Sequence, residues 1–193
     1  MSHYMDHEAG RVFLLEMSGI LDSLGLPFFL VQGTALGAYR DGGFTPTEGD
    51  IDIGFLQEDF APKVGELCEV LVNAGFDIHT ISKPLPICRL LIAHKYGVHA
   101  DLVGYTRYQD KRFASAPIDP VAVPEPYCLV HEAAALENYQ WVTLFGRVFR
   151  VPSPIEQYLE REYGAEWHTP MEDHVSRTRV YDFLKDNPEA YPC

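Results

Sequence analysis

Residues 32–53 read QGTALGAYRDGGFTPTEGDIDI, and they are the most informative part of the chain. A Gly-Thr turn opens the stretch, and the alternation Asp-Ile-Asp-Ile closes it. Side chains two residues apart in a β-strand point to the same face, so Asp50 and Asp52 project together while the isoleucines face a core. Two adjacent carboxylates repel each other unless a cation lies between them. The pattern therefore predicts a site for a divalent cation such as Mg²⁺ and favours phosphoryl or nucleotidyl transfer.

An Asp-x-Asp triplet also arises by chance in an acidic chain, and on an edge strand its carboxylates simply face water. The neighbouring residues favour the site. Gly33 and Thr34 are placed to begin a helix, where free backbone N–H groups and the helix dipole attract phosphate. The pair Gly42-Gly43 then turns the chain back toward the acidic strand. A phosphate-binding turn beside a metal-holding pair is a coherent site.

A third carboxylate is expected from the run HADLV, in which Asp101 interrupts an otherwise apolar strand. A carboxylate is costly to bury unless it is paired or bound to metal. We predict that Asp101 completes the coordination with Asp50 and Asp52 and takes the proton from the attacking hydroxyl. The alternative is a surface position, or a salt bridge with Arg89 or Lys95.

Two blocks of the chain resemble the LicD family of the nucleotidyltransferase-fold superfamily. The first is GTALGAYRDGGFTP followed by GDIDI, in residues 33–53. The second, in residues 151–170, is similar to the family's proline-led helix ending in a Tyr-Gly and a proline. One departure is visible, because family members often carry a Trp and three acidic residues before the Ile-Asp pair. This chain has Thr47-Glu48-Gly49-Asp50 there.

The resemblance implies an α/β (α+β) nucleotidyltransferase fold, a small mixed sheet flanked by helices. It implies transfer of a phospho-alcohol unit from a CDP-linked donor to a hydroxyl, usually on a sugar, with release of CMP. Asp50, Asp52 and Asp101 would hold Mg²⁺ or Mn²⁺, and Gly33 and Thr34 would hold the donor phosphates. The partners would be a nucleotide-linked small-molecule donor and a hydroxyl-bearing small molecule or glycan.

Arg40 stands where the family pattern has an arginine, so it is a candidate for a bidentate contact with a donor phosphate. An ion pair with Asp41 or Glu48 explains it equally well. Two other functions stay open. One is transfer of a nucleoside monophosphate from an NTP to a small hydroxylated molecule. The other is a non-catalytic, nucleotide-binding member, which the incomplete acidic run before Asp50 favours.

The composition sets further bounds. A length of 193 residues fits a single domain, 1–193, with a proper core. Lys+Arg 15 against Asp+Glu 28 gives a net charge of −13, which argues against a nucleic-acid polymer as substrate. The start of the chain lacks the features of a signal peptide, and no apolar run approaches the ~20 residues of a membrane span. We therefore expect a cytoplasmic protein without membrane insertion; the oligomeric state is left open.

Hydrophobic periodicity predicts the following elements: a helix over 8–24 ending at Gly25, a strand over 28–32, a short helix over 34–40, the acidic strand 50–56, a helix over 60–74 ending at Gly75, strands over 76–81, 87–94 and 98–105, a hairpin over 139–151, a helix to Tyr163 and a last helix over 171–185. Ser153, Pro154 and Glu156 predict a capping box for the helix ending at Tyr163. The proline-rich segment 116–126 predicts a loop, either a connector or a flap over substrate.

Overall fold

The computed structural model describes residues 4–80, 90–115, 128–170, 178–180 and 182–190. Its α-helices are α1 (His7–Ser23), α2 (Gln32–Leu36), α3 (Gln57–Phe60), α4 (Val64–Asn73), α5 (Ala133–Glu137), α6 (Ile155–Tyr163) and α7 (Phe183–Asp186). Its strands are β1 (Phe29–Leu30), β2 (Ile51–Leu56), β3 (Asp77–Thr80), β4 (Leu90–Lys95), β5 (Val98–Tyr108), β6 (Lys111–Ser115), β7 (Cys128–Glu132), β8 (Tyr139–Leu144), β9 (Arg147–Pro152) and β10 (Arg179–Val180). A π-helical turn, Gly37–Asp41, continues α2, and 3₁₀ turns cover Ala61–Lys63 and Pro188–Ala190.

Eight of the described strands form one mixed sheet. Its order is β1-β2-β5-β6-β7-β10, with β4 pairing with β5 and β3 with β4. Strands β2 and β5 are parallel, and the other pairs of this sheet are antiparallel. Strands β8 and β9 form a separate hairpin, as predicted for 139–151. The predicted small mixed sheet flanked by helices is confirmed.

Burial fixes the register of the acidic strand. Ile51 and Ile53 are fully buried on one face of the sheet, beside Ala100 and Leu102 of β5. Burying each such aliphatic side chain contributes roughly 1.5–3 kcal/mol. A slip of one residue would exchange the faces and drive a carboxylate into the core, so the aspartates are held on the opposite face.

Glycines end both long helices where the sequence predicts. Helix α1 begins after Asp6, whose carboxylate accepts a hydrogen bond of 2.8 Å from the N–H of Ala9, and it ends before Gly25 at φ 58°. Helix α4 ends before Gly75 at φ 84°. The helix predicted over 60–74 is interrupted by the 3₁₀ turn, because Pro62 has no N–H with which to continue an α-helical ladder.

The capping box predicted for α6 is wrong. Pro154 occupies the N-cap position in extended backbone, and neither Ser153 nor Glu156 caps the helix. The N–H of Ile155 donates instead to the side-chain oxygen of Gln140 at 2.6 Å. The β8–β9 hairpin packs close enough to supply the acceptor that the local sequence was expected to supply. The end of the helix, at Tyr163 before Gly164, is as predicted.

The last predicted helix, over 171–185, is also wrong for residues 178–180, and it is confirmed only from Phe183 onward. Arg179–Val180 form β10, antiparallel to β7, and α7 begins only at Phe183. An open edge of β7 offers unpaired backbone groups, and pairing with them outweighs the helical pattern of the segment. Residues 171–177 lie outside the described residues, and so does the proline-rich segment 116–126.

Candidate active site

The densest group of carboxylates lies where the chain enters β2. Glu48, Asp50 and Asp52 each offer one oxygen, and these three oxygens lie within 4.8 Å of one another. Glu48 and Asp52 are both 7% exposed, and Asp50 is half-exposed. Such a set of oxygen ligands fits a hard divalent cation. Sequence reasoning placed Asp50 and Asp52 here but did not assign Glu48 to this group; it treated Glu48 as part of a departure from the family pattern and as a possible ion-pair partner of Arg40.

Asp101 joins this group through strand pairing. It is the register partner of Asp52 on the neighbouring parallel strand, so the two side chains share one face of the sheet. The structure thus brings Asp50, Asp52 and Asp101 together, as the sequence predicts. Lys95, considered as a salt-bridge partner for Asp101, instead lies 2.6 Å from Glu16. The role of the three aspartates as metal ligands stays a prediction.

Burial and neighbouring charges raise the pKa values of Glu48, Asp52 and Asp101. Burial, followed by the charge of Asp50, raises the pKa of Glu48 to about 8. The same two causes raise the pKa of Asp101 to about 6, against a lowering effect of His99. Burial raises the pKa of Asp52 well above its ordinary value, and the charges of Asp50, Glu48 and Asp101 add to this. A bound cation would lower the electrostatic repulsion among these buried carboxylates.

His99 is the basic neighbour of this group. Its Nε2 lies 3.4 Å from Oδ2 of Asp50, and the hydrogen bond to Asp50 raises the pKa of the imidazole. His99 stands two residues before Asp101 on β5, so both side chains lie on the same face of the sheet. The sequence alone could not separate this contact from an ordinary structural histidine.

The Gly-Thr turn is built into the acidic group. The hydroxyl of Thr34 is fully buried and accepts a hydrogen bond of 2.9 Å from the N–H of Asp52. A Cβ added to Gly33 would lie 2.7 Å from one oxygen of Glu48 and closer still to the other. A side chain at position 33 would therefore push the Glu48 carboxylate away from the turn. The contact of Gly33 and Thr34 with donor phosphates stays a prediction.

Gln32 is a second residue that sequence reasoning missed. Its backbone has φ 45°, in the left-handed region that non-glycine residues rarely occupy. The N–H of Gln32 donates to the Tyr158 hydroxyl at 3.0 Å, and its amide nitrogen donates to Oδ1 of Asp52 at 3.3 Å. Such backbone strain persists only where the surroundings over-determine it, and it concentrates at functional sites.

The Arg40 side chain makes hydrogen bonds to other residues of the chain. Its guanidinium donates two hydrogen bonds of 2.8 Å to Asp41 and one of 3.0 Å to the backbone oxygen of Trp167. Of the two explanations that the sequence left open, this geometry favours the ion pair with Asp41. The arginine connects the turn after α2 to the segment that follows α6.

Helix α6 covers the acidic face with buried polar side chains. The Tyr158 ring stacks on His131 with centroids 5.2 Å apart, and the Thr178 hydroxyl donates to Glu162 at 2.6 Å. Burial, together with the positive charge of Arg161, lowers the pKa of His131 to about 3, so the imidazole is neutral. The charge of Glu162 in turn contributes to the raised pKa of Asp52.

A mixed sheet that carries paired aspartates on adjacent parallel strands, next to a Gly-Thr turn, defines a protein of nucleotidyltransferase fold. The solution structure of the antibiotic-resistance factor ANT(2'')-Ia shares this fold, with a TM-score of 0.52 and 18% identity over 90% of this chain and 80% of that one. The family model described as LicD/FKTN/FKRP, nucleotidyltransferase domain, matches residues 25–119. The chain belongs to the LicD family.

Curated relatives agree with this assignment. The chain is 24% identical over 173 residues to the ribitol-5-phosphate transferase FKTN of Mus musculus, covering 89% of this chain and 34% of that protein. It is 26% identical over 164 residues to the uncharacterized protein T07A5.1 of Caenorhabditis elegans, covering 84% of this chain and 42% of that protein. The chain therefore spans between a third and a half of these relatives' lengths. Among the described helices, none combines the length and apolar character needed to cross a bilayer.

Proposed function

We propose that the chain is a metal-dependent transferase of LicD type, which moves a phospho-alcohol unit from a CDP-linked donor to a hydroxyl acceptor. The observation that carries the proposal is the convergence of Glu48, Asp50 and Asp52 within 4.8 Å, with Asp101 in register beside Asp52. The name ribitol-5-phosphate transferase, borne by the FKTN relative, supports this class of reaction.

The donor set suits Mg²⁺ or Mn²⁺, held by Asp50 and Asp52 with Asp101 and Glu48 close by. When bound, the cation would supply neutralisation of phosphate charge. In the transfer, the acceptor oxygen bonds to the phosphorus that carries the alcohol. The bond from that phosphorus to the bridging oxygen breaks, and the oxygen leaves with CMP.

The chain's own residues have separate tasks in this proposal. Asp101 is the group that takes the acceptor proton, since a carboxyl with a pKa of about 6 is a more effective base near neutral pH than an ordinary aspartate. The N–H of Asp52 is held by Thr34, and its carboxylate is held by Gln32. This preorganisation keeps the ligand oxygens in place, and positioning and charge neutralisation are the main requirements of in-line phosphoryl transfer.

A second candidate is transfer of a nucleoside monophosphate from an NTP, with release of pyrophosphate. The fold shared with an antibiotic-resistance factor favours it. The same carboxylates would serve, but attack would fall on the phosphorus next to the nucleoside. A non-catalytic member that binds nucleotide without turnover is the third possibility.

Product analysis separates these functions. The purified chain is incubated with Mg²⁺ or Mn²⁺ and, in turn, CDP-ribitol, CDP-choline and each NTP, and CMP and pyrophosphate are measured. We expect CMP from a CDP-alcohol, lost in Asp52→Asn and Asp101→Asn and kept in Asp110→Asn, a matched control whose exposed side chain lies in the β5–β6 turn. Pyrophosphate from an NTP would establish the second candidate. Metal-dependent nucleotide binding without either product would establish the third.

A further inference from the structure

A cavity of about 420 Å³ lies between the end of α1 and the β8–β9 hairpin. Its charged and aromatic lining is Asp22, Phe28, Trp141, Arg147, Phe149 and Arg150. Its volume falls in the ~300–1,000 Å³ range of small-molecule sites. The cavity adjoins the start of β1, whereas the acidic group adjoins the end of that strand. It is therefore separate from the candidate active site.

An exposed tryptophan forms one wall of this cavity. Trp141 is 62% exposed and is the register partner of Arg150 across the hairpin. The Arg150 guanidinium lies 5.3 Å from the indole centroid and 5.6 Å from that of Tyr139. The two rings hold the guanidinium in place by cation–π attraction while much of the indole stays open to solvent. The open indole surface and the guanidinium of Arg150 thus line the cavity together.

The cavity is positively charged in a chain whose net charge is −13. Its charged lining consists of Asp22, Arg147 and Arg150. The guanidinium of Arg147 pairs with the Asp22 carboxylate. Arg150 forms no ion pair with any carboxylate in the described part of the chain and is left as the uncompensated cation of the cavity. An anionic ligand would complete this charge balance.

We propose that this cavity binds an acidic saccharide. The C–H face of the sugar ring would pack on the indole of Trp141, the carboxylate or phosphate of the sugar would take a charge-assisted hydrogen bond from Arg150, and ring hydroxyls would meet the Asp22–Arg147 pair. A simple inorganic anion would leave the exposed indole unused, and a neutral sugar would leave Arg150 uncompensated. The proposal does not depend on the transferase function.

Tryptophan fluorescence and saturation-transfer NMR test the proposal on the full chain. The chain has two tryptophans, and Trp167 is buried, so a change in the emission from solvent-exposed tryptophan reports Trp141. The ligands are glucuronate, glucose 6-phosphate, glucose and inorganic phosphate. We expect both acidic sugars to bind about tenfold or more tightly than glucose or phosphate, because only they engage both the indole and Arg150.

Variants locate the binding. Arg150→Gln should lower the affinity for the acidic sugars to that for glucose, and Trp141→Ala should abolish NMR transfer to every sugar. Arg11→Gln, the same charge change on the exposed first half of α1, should change neither. Asp52→Asn should bind the sugars as the unmodified chain does, which keeps this test apart from that of the transferase. Equal binding of inorganic phosphate and the acidic sugars, no binding of either acid, or an unchanged preference in a folded Arg150→Gln chain would overturn the proposal.

Discussion

The carboxylate of Glu48 rests directly against the α-carbon of Gly33. A side chain at position 33 would meet both oxygens of Glu48, and the backbone of the turn cannot move away without disturbing the Thr34 contact to Asp52. The Gly-Thr turn and the acidic group are thus one packed unit rather than two neighbouring features.

Replacing this glycine should displace Glu48. Gly33→Ala is expected to destabilise the fold by about 1–3 kcal/mol, as overpacking does, and to lower transferase activity strongly. Thermal unfolding and the CMP-release assay measure the two effects. Gly19→Ala on α1 is the control, because a Cβ there meets nothing within 4 Å. The double variant Gly33→Ala/Glu48→Ala should recover the stability that Gly33→Ala loses. If the stability change of the double variant equals the sum of the changes in the two single variants, the contact is contradicted.

Neutralising Glu48 should have opposite effects on stability and on metal binding. The pKa of Glu48 is raised from 4.5 to about 8, so its ionisation destabilises the metal-free fold increasingly between those pH values. Glu48→Gln is therefore expected to be more stable than the unmodified chain at pH 8, by on the order of a few kcal/mol, and no more stable at pH 4.

The same variant should bind Mn²⁺ about tenfold or more weakly, measured by calorimetry. Glu66→Gln, on an exposed face of α4, is the matched control for both measurements. If Glu48→Gln bound Mn²⁺ as tightly as this control, Glu48 would have no part in the cation site.

Gln32 should matter for activity more than for stability. Gln32→Gly keeps the left-handed backbone at lower strain but removes the amide that donates to Asp52. We expect a folding stability within about 1 kcal/mol of the unmodified chain and a fall in kcat of about tenfold with little change in KM. Gln109→Gly, at φ 53° in the β5–β6 turn, relieves similar strain away from the site. Equal kcat values for the two variants would remove Gln32 from the mechanism.

Buried, neutral His131 should make the fold acid-sensitive. Its pKa is about 3 in the folded chain against 6.5 ordinarily, so its contribution to stability is complete above pH 6.5 and is lost as the pH falls toward 3. The loss at pH 5 is about 2 kcal/mol. His131→Phe should flatten this dependence in urea unfolding measured from pH 7 to pH 5. A slope unchanged from that of the unmodified chain would mean that other groups control acid unfolding.

Much of the fold was predictable because its signals are local. The glycine stops at Gly25 and Gly75, the alternation after Asp50 and the hairpin turn at Gly146 each act within a few residues. The errors arise where contacts between residues far apart in the sequence determine the local structure. The sequence around Val180 does not indicate that β7 has an open edge with which to pair. The sequence around Ser153 does not indicate that the Gln140 side chain caps α6.

The candidate site divides in the same way. Asp50, Asp52 and Asp101 could be predicted because strand periodicity and an apolar context place them on one face. Glu48 and Gln32 could not, since their positions depend on a turn and on a strained backbone conformation. Arg40 is a candidate from the sequence, but only the structure shows that Asp41 holds it. The contact between His99 and Asp50 likewise becomes visible only in the structure.

The hydrogen bond from Gln32 to Tyr158 reaches across 126 positions of the chain. During synthesis, the acidic strand and its turn leave the ribosome long before their partner on α6 exists. A fragment limited to residues 25–119 would thus contain all three aspartates but would lack Tyr158 of α6, which accepts the hydrogen bond from Gln32 beside them. The surroundings of the candidate site should therefore be complete only late in translation, once α6 has emerged and docked.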